Sequence, residues 1–112
     1  MRTYVLRVRA ADVDIFNAIR LGKKPVETRA FTVRYKNAAA GDRLRFMCQG
    51  KQFVRDIKRV RVVKSPKALL KYYRVQDIAP HLKTAQELEN LYYKFPGYRE
   101  KIKKCGIVAF EL

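Results

Sequence analysis

The chain turns from a helix into a strand within one stretch of eight residues, Gly22-Lys23-Lys24-Pro25-Val26-Glu27-Thr28-Arg29. Gly22 is suited to end a helix in a left-handed conformation, and Pro25 prevents that helix from resuming. The chain must therefore turn and then extend. Because side chains of an extended segment alternate between two faces, Glu27 and Arg29 are predicted to point the same way. A carboxylate and a guanidinium then lie together beside Lys24.

Before and after this junction the pattern predicts a strand, a helix and a longer extended segment. One face of this strand would carry Tyr4, Leu6 and Val8, and the other Val5, Arg7 and Arg9. This pattern is typical of a half-buried strand with arginines on its wetter face. Asp12 is placed to cap the helix that Gly22 ends, and apolar residues at helical spacing lie between the two. From residue 26 to 35 the chain is predicted to be extended.

Two further strands follow, and the second contains an irregularity. Residues 43–48 alternate so that the apolar side chains face the core while Arg43 and Arg45 face solvent. Over residues 53–62 the parity of the apolar positions changes after Lys58. One extra residue in a strand has this effect, so a β-bulge is predicted there.

The second half of the chain predicts two helices and a closing strand. Ser65 caps a short helix that begins with proline, and Thr84 opens a capping box before a longer one. Asp77 is expected in the loop between them. Residues 98–104 are expected to form a basic connection, and the apolar run 107–110 a final strand. Strands and helices in this order indicate an α+β fold.

Composition indicates one domain without a membrane or metal role. The chain has 112 residues, of which 48% are hydrophobic, which suffices for one modest core. It contains no apolar run of roughly 20 residues and starts without a hydrophobic signal, so we expect a cytoplasmic location and no membrane partner. His81 is the only histidine, and the only cysteines, Cys48 and Cys105, lie far apart. We therefore expect no metal site and no cofactor.

Charge is the second strong signal. The sequence has 26 Lys and Arg residues against 10 Asp and Glu, a formal net charge of +16. A basic surface of this kind favours a polyanion, because phosphate contacts give salt-sensitive affinity through counterion release. The alternative is a charge excess that serves solubility or thermostability. The cations expected to hold a nucleic-acid backbone, aligned on the solvent sides of neighbouring strands or close to them, are Arg43, Arg45, Arg59, Arg61 and Lys64.

Aromatic residues offer a weaker signal for nucleic acid. Exposed tyrosines can stack on bases, although aromatic residues at helical spacing more often belong to a core. The tyrosines in question are Tyr72, Tyr73, Tyr92, Tyr93 and Tyr98.

Four pieces of sequence in the right order resemble the ASCH domain family. They are G-K-K-x-x-E-x-R at 22–29, G-D before a strand at 41–44, F-P-G-Y at 95–98 and the terminal G-I-V-A-F-E-L at 106–112. Together they span almost the whole chain as a single domain. The resemblance implies a small PUA-like β-barrel of about five to six strands with flanking helices.

The resemblance also implies a binding cleft. In ASCH domains the K-x-x-E-x-R segment lines a cleft regarded as a site for a ligand or RNA, which would be formed here by Lys24, Glu27 and Arg29. Acidic side chains accept hydrogen bonds from the amino group of cytosine, so Glu27 suits a base edge, whereas Arg29 suits phosphate or stacking. The leading hypothesis is therefore an RNA-binding protein with a nucleotide in this cleft.

A catalytic role is the alternative. One bacterial branch of the family hydrolyses the acetyl amide of N4-acetylcytidine with a lysine, a threonine three residues later and a glutamate. Lys24 matches, but Glu27 stands at the threonine position and Thr28 is predicted to face away. Asp77 would supply the later acid, and Glu27 beside Lys24 could activate water as a general base. Other family members are described as ribonucleases. A role as a protein-binding adaptor is a third alternative, for which the sequence contains no distinguishing residue. The sequence indicates neither a base preference nor an oligomeric state.

Overall fold

The computed structural model describes all 112 residues and contains six strands and five helices. The strands are β1 (Thr3–Arg7), β2 (Val26–Ala30), β3 (Arg43–Cys48), β4 (Lys51–Asp56), β5 (Arg59–Val63) and β6 (Ile107–Glu111). The helices are α1 (Val13–Arg20), α2 (Pro66–Leu69), α3 (Val75–Ile78), α4 (Ala85–Tyr93) and α5 (Tyr98–Cys105). The predicted α+β class is confirmed.

The strands form two three-stranded sheets. In the first sheet, with order β1-β3-β4, β1 runs parallel to β3 and β4 runs antiparallel to it. In the second sheet, with order β2-β6-β5, both outer strands run antiparallel to β6. Strands β1 and β2 are edge strands of their sheets, and residues of both line the candidate site.

The second sheet is the middle layer of the molecule, with a core on each side. Val108 and Phe110 join the core that the first sheet and α1 complete. Ile107 and Ala109 join a second core formed with the helices. A strand that is buried on both faces needs an apolar residue at every position, which explains the unbroken apolar run of β6.

Several local predictions are confirmed because they depend on neighbouring residues alone. Gly22 has a left-handed φ of 79° after α1. The Ser65 hydroxyl accepts a hydrogen bond from the Ala68 amide, and Thr84 and Glu87 form the predicted capping box at α4. The inward residues of β3 are fully buried.

The predicted β-bulge is wrong, since the parity change marks a transfer between sheets. Strand β4 ends in the first sheet and β5 begins three residues later in the second. The Ile57 amide still donates to Asp42 on the side of the first sheet, whereas the Lys58 amide already donates to Glu111 of β6. A change of sheet reverses which parity faces the core, so it leaves the same sequence signature as a bulge.

Four other local predictions are corrected. The predicted extended segment ends at Ala30, and residues 33–35 form a 3₁₀ turn that places the Tyr35 ring in the core. Residues 98–104 belong to α5 rather than to an irregular connection. Asp77 lies in the one-turn helix α3 rather than in a loop. Asp12 precedes α1, but its carboxylate pairs with Arg9 instead of capping the helix.

Candidate functional site

A cavity of about 370 Å³ opens between the two layers that flank β2. One wall consists of the end of β1, the residues that follow it and α1. The opposite wall consists of the segment after α3, the second half of α4 and the start of α5. Buried residues from the Lys24–Thr28 segment form its floor.

Lys24 enters the cavity floor because of how α1 ends. The backbone amides of Lys23 and Lys24 both donate to the carbonyl of Ala18, which closes the helix and turns the chain inward. The Lys24 Nζ donates to the Val26 carbonyl at 2.6 Å and lies 3.7 Å from Glu27 Oε1. Burial lowers the pKa of Lys24, whereas the nearby Glu27 carboxylate opposes that shift.

Glu27 lies between two cations. Its Oε1 accepts a hydrogen bond from the Thr28 amide at 2.8 Å, and its Oε2 lies 3.9 Å from Arg29 Nη2. Only 8% of the Glu27 side chain is exposed, compared with 33% of Arg29, so the guanidinium alone reaches solvent. The structure thus brings Lys24, Glu27 and Arg29 together as the sequence predicted.

Thr28 faces away from Glu27 and Arg29, as strand alternation predicted, yet it also lines the cavity. Its side chain points to the other face of β2, where its hydroxyl bonds to the hydroxyl of Tyr92 in α4. Residues from both faces of β2 line the cavity because β2 is an edge strand and the cavity extends past its edge. Burial raises the pKa of Tyr92 strongly, so this hydroxyl keeps its proton.

Aromatic rings form much of the wall opposite α1. Tyr98 stacks in parallel with Tyr92 at 6.3 Å between ring centroids, and its hydroxyl accepts from the Ala30 amide at 2.8 Å. Phe95 packs edge-on against Tyr98, and 36% of Phe95 remains exposed. An apolar ring is therefore presented at the entrance of the cavity.

Cations dominate the rim. Arg7, Arg9 and Lys94 line the entrance, where Asp12 is the one acidic group besides Glu27. Arg9 pairs with Asp12 at 2.9 Å, whereas Arg7 has no ion pair. His81 also lines the cavity and is exposed. The cationic rim and the buried carboxylate suit a ligand that combines an anionic group with hydrogen-bond donors.

The other cations predicted to hold RNA lie away from this cavity. Arg59 and Arg61 surround Glu111 at 4.0 and 3.9 Å, in a more open second cleft of about 410 Å³. They are not aligned with Arg43 and Arg45, because β5 belongs to the second sheet and β3 to the first. Lys64 is exposed beyond the end of β5.

The alternative catalytic set Lys24, Glu27 and Asp77 is not assembled. Asp77 lines the second cleft, not the cavity that contains Lys24. Its carboxylate bonds to Arg74 at 3.0 Å, and this hydrogen bond lowers the pKa of Asp77. A carboxylate engaged in this way, at a different cleft, has no geometric relation to a ligand beside Lys24.

Sequence reasoning missed most of the cavity wall. Arg7, Arg9, Tyr92 and Phe95 come from segments far from the junction at Gly22. The F-P-G-Y motif is the one signal in the sequence that points to this wall, since its residues Phe95 and Tyr98 line the cavity.

Comparison with known proteins supports the fold without identifying a family. The sequence matches no family model and no curated protein. The structure is similar to the crystal structure of the hypothetical protein PH0355, with 27% sequence identity and a TM-score of 0.83 over 97% of this chain and 95% of that one. It is also similar to the solution NMR structure of protein PF0455 from Pyrococcus furiosus, with 26% identity and a TM-score of 0.73 over 97% and 94%.

The structure contains neither a cluster of metal-ligating side chains nor a membrane-spanning helix. No three His, Cys, Asp or Glu side chains lie close enough together to hold a metal ion. None of the helices has the length and apolar character needed to cross a bilayer.

Proposed function

We propose that this protein is an RNA-binding domain of the ASCH type, which takes up one nucleotide in the cavity above β2. The observation that carries the proposal is the buried Lys24–Glu27 pair at the floor of a cavity with a cationic rim. A buried ion pair is costly to desolvate and contributes little net stability, so its presence at a cavity floor favours a binding role.

The arrangement of the six strands supports a PUA-like relation. One three-stranded sheet packs on the other around a shared core, and the helices cover the far side of the second sheet. We propose that these two sheets together correspond to a small barrel of about five to six strands with flanking helices. The cavity then lies where the edge strands β1 and β2 approach the helices.

Each part of the cavity has a role in holding a nucleotide. Glu27 accepts hydrogen bonds from a base amino group, and Lys24 donates to a base carbonyl. Phe95 provides a face or edge for stacking, worth about 1–3 kcal/mol per base. Arg7 and Arg29 remain for the phosphate, since both reach the rim.

The proposal is tested by titrating the protein with each ribonucleoside 5′-monophosphate and with single-stranded RNA at several salt concentrations. We expect tighter binding of RNA than of mononucleotides and a steep loss of RNA affinity with salt. Glu27→Gln should change the preference among bases more than the overall affinity, because an amide both donates and accepts.

Glu100→Gln is the matched control. Glu100 is exposed on α5, so this substitution removes the same charge outside the cavity. Absence of binding for every nucleotide and RNA, or affinity that does not depend on salt, contradicts the proposal.

Hydrolysis of a modified nucleoside is a second candidate because Thr28 lies in the same cavity as Lys24. Its hydroxyl bonds to Tyr92, and Lys24 Nζ bonds to the Val26 carbonyl, so no base is in contact with the hydroxyl. Incubation with N4-acetylcytidine, with Thr28→Val as the control variant, decides this candidate. We expect no release of acetate, and release that depends on Thr28 would favour hydrolysis.

A further inference from the structure

The outer face of the first sheet is not covered by any other element. Side chains that point inward from β1, β3 and β4 form the core, as Leu6 and Phe46 do. The side chains that point outward from these three strands are all exposed or half-buried. A three-stranded surface is therefore open to solvent over its full length.

Two arginines on this face have no acidic partner. Arg43 is paired with Asp56 at 3.0 Å, but Arg7 and Arg45 form no ion pair. They lie on adjacent strands, because Arg7 is opposite Met47 and Arg45 is two residues before it. From the spacing and rise of β-strands their backbones are about 8 Å apart. Two free cations thus follow one another across the sheet.

Aliphatic side chains lie on both sides of Arg45. Val5 and Val54 flank Arg45 on the two neighbouring strands, and Val54 is 43% exposed. Such side chains can contact the sugars of a nucleic-acid strand without reading its sequence. The face combines cations for a backbone with apolar area for the groups attached to it.

Arg7 connects this face to the cavity. It is the last residue of β1, it points outward from the sheet, and it also lines the cavity entrance. Arg9, two residues later, is instead paired with Asp12. The free cations therefore lead from the cavity across the first sheet.

The cations of the second cleft do not extend this path. Arg59 and Arg61 lie on the other sheet, both approach Glu111, and Arg61 also stacks on Tyr72 at 3.9 Å. Their charge is partly neutralised, and neither lines the cavity.

On the basis of the nucleotide-binding function proposed above, we infer that a single RNA strand with one nucleotide in the cavity continues past Arg7 and across the outer face of the first sheet over Arg45. Two observations favour this face over the second cleft. Arg7 and Arg45 have no acidic partner, whereas Arg59 and Arg61 do, and Arg7 connects the face to the cavity. Contacts on the face are to backbone and sugar, so they add affinity without base preference.

The experiment compares Arg45→Ala with Arg59→Ala, two exposed arginines on different sheets. Each variant is titrated with ribonucleoside 5′-monophosphates and with a mixed-sequence single-stranded RNA of about a dozen nucleotides, within the usual range of single-strand sites. One phosphate contact contributes a slope of about 0.7 in log affinity against log salt. Loss of one contact should then weaken RNA binding about fivefold at about 0.1 M salt.

We expect Arg45→Ala to weaken RNA binding by this factor, to reduce the salt slope, and to leave mononucleotide binding unchanged. Arg59→Ala should leave both unchanged. If Arg59→Ala weakens RNA binding as much as Arg45→Ala, or if RNA binds no tighter than a mononucleotide, the inferred path is wrong while the cavity function stands. If neither mononucleotides nor RNA bind the wild-type protein, the proposed function itself fails.

Discussion

Two carboxylates on the second sheet are each held between two cations, yet their surroundings differ. Glu27 lies 3.7 Å from Lys24 and 3.9 Å from Arg29, and Glu111 lies 4.0 Å from Arg59 and 3.9 Å from Arg61. Glu27 and Lys24 are 8% and 6% exposed, whereas Arg59 is 62% exposed. The same charge pattern is a solvated ion pair in one place and a buried one in the other.

The position of the strands explains this difference. Glu27 is in the interior of β2, between the first sheet and the helices, and both neighbouring layers exclude water from it. Glu111 is the last residue of β6, at the open end of the sheet. Exposed ion pairs contribute about 0–1 kcal/mol, whereas removing one partner of a buried pair costs about 3–5 kcal/mol. Burial, not pairing, separates the candidate site from ordinary surface charge.

The largest effect should come from removing each carboxylate in turn. Glu27→Ala leaves Lys24 buried without its counter-charge, so we expect the free energy of unfolding to fall by about 3–5 kcal/mol. Glu111→Ala should lower it by about 1 kcal/mol, because solvent reaches its partners. Urea unfolding followed by circular dichroism measures both.

The double substitution Lys24→Met with Glu27→Leu serves as the control for that comparison. It removes both buried charges and should recover most of the lost stability. Equal losses for Glu27→Ala and Glu111→Ala would show that the two pairs are equivalent and would remove the basis of the distinction.

One aromatic side chain at each cleft allows the contributions of the two clefts to RNA binding to be compared. Phe95→Ala should weaken binding of single-stranded RNA by about 1–3 kcal/mol, because a base loses its stacking partner at the cavity entrance. Tyr72→Ala, at the second cleft, should leave affinity unchanged. Fluorescence anisotropy with labelled RNA gives both values, and a larger loss for Tyr72→Ala would move the site to the second cleft.

The tyrosine hydroxyls provide a third comparison. Tyr92→Phe removes the partner of the buried Thr28 hydroxyl, which should cost about 1–3 kcal/mol in unfolding free energy. Tyr73→Phe removes a bond of 2.8 Å to Glu111, and water can replace it, so we expect about 1 kcal/mol or less. Thermal or urea unfolding of the two variants tests the order.

The double variant Thr28→Val with Tyr92→Phe tests whether the stability loss of Tyr92→Phe comes from the unpaired Thr28 hydroxyl. When both partners are removed no buried hydroxyl is left unpaired, so the double variant should be more stable than Tyr92→Phe alone. A double variant that is less stable than either single one would point to lost packing instead.

The smallest effect concerns pH. The pKa of Lys24 is lowered by burial from its ordinary value of 10.5, so between the lowered pKa and 10.5 the native state binds fewer protons than the unfolded state. The contribution of Lys24 to the free energy of unfolding therefore increases as pH rises through that window.

The measurement is the difference in unfolding free energy between the wild type and Lys24→Met, from about pH 7 to about pH 9.5, below the range where tyrosines of the unfolded chain ionise. We expect the difference to shift in favour of the wild type as pH rises. A difference that is constant with pH, or that moves the other way, means that burial does not lower the pKa of Lys24.

The part of the site that the sequence predicted is the part that one short segment encodes. Gly22 and Pro25 fix the turn, and strand alternation places Glu27 beside Arg29, because these are consequences of local backbone geometry. Alternation also correctly predicted that Thr28 faces away from Glu27 and Arg29. It could not show that Thr28 lines the same cavity, because alternation gives the face of a residue but not what lies beyond that face.

Other errors have equally specific causes. Only Ile102 is buried in α5, and the many cations around it hide a helical stripe, so the sequence of residues 98–104 predicts an irregular connection. The parity change near Lys58 predicts a bulge because a bulge and a change of sheet leave the same pattern in the sequence. The predicted alignment of Arg59 with Arg43 is wrong for the same reason, because β5 and β3 belong to different sheets.

The sequence by itself determined the α+β class, the caps and turns, the inward faces of β3 and the grouping of Lys24, Glu27 and Arg29. These depend on residues within one element or one turn of each other, where bond geometry and side-chain spacing leave few choices. Tertiary structure alone decided which carboxylate is buried, which arginines remain unpaired and which aromatic rings reach the cavity. Those properties depend on how the layers exclude water around β2, and the excluding residues come from opposite ends of the chain.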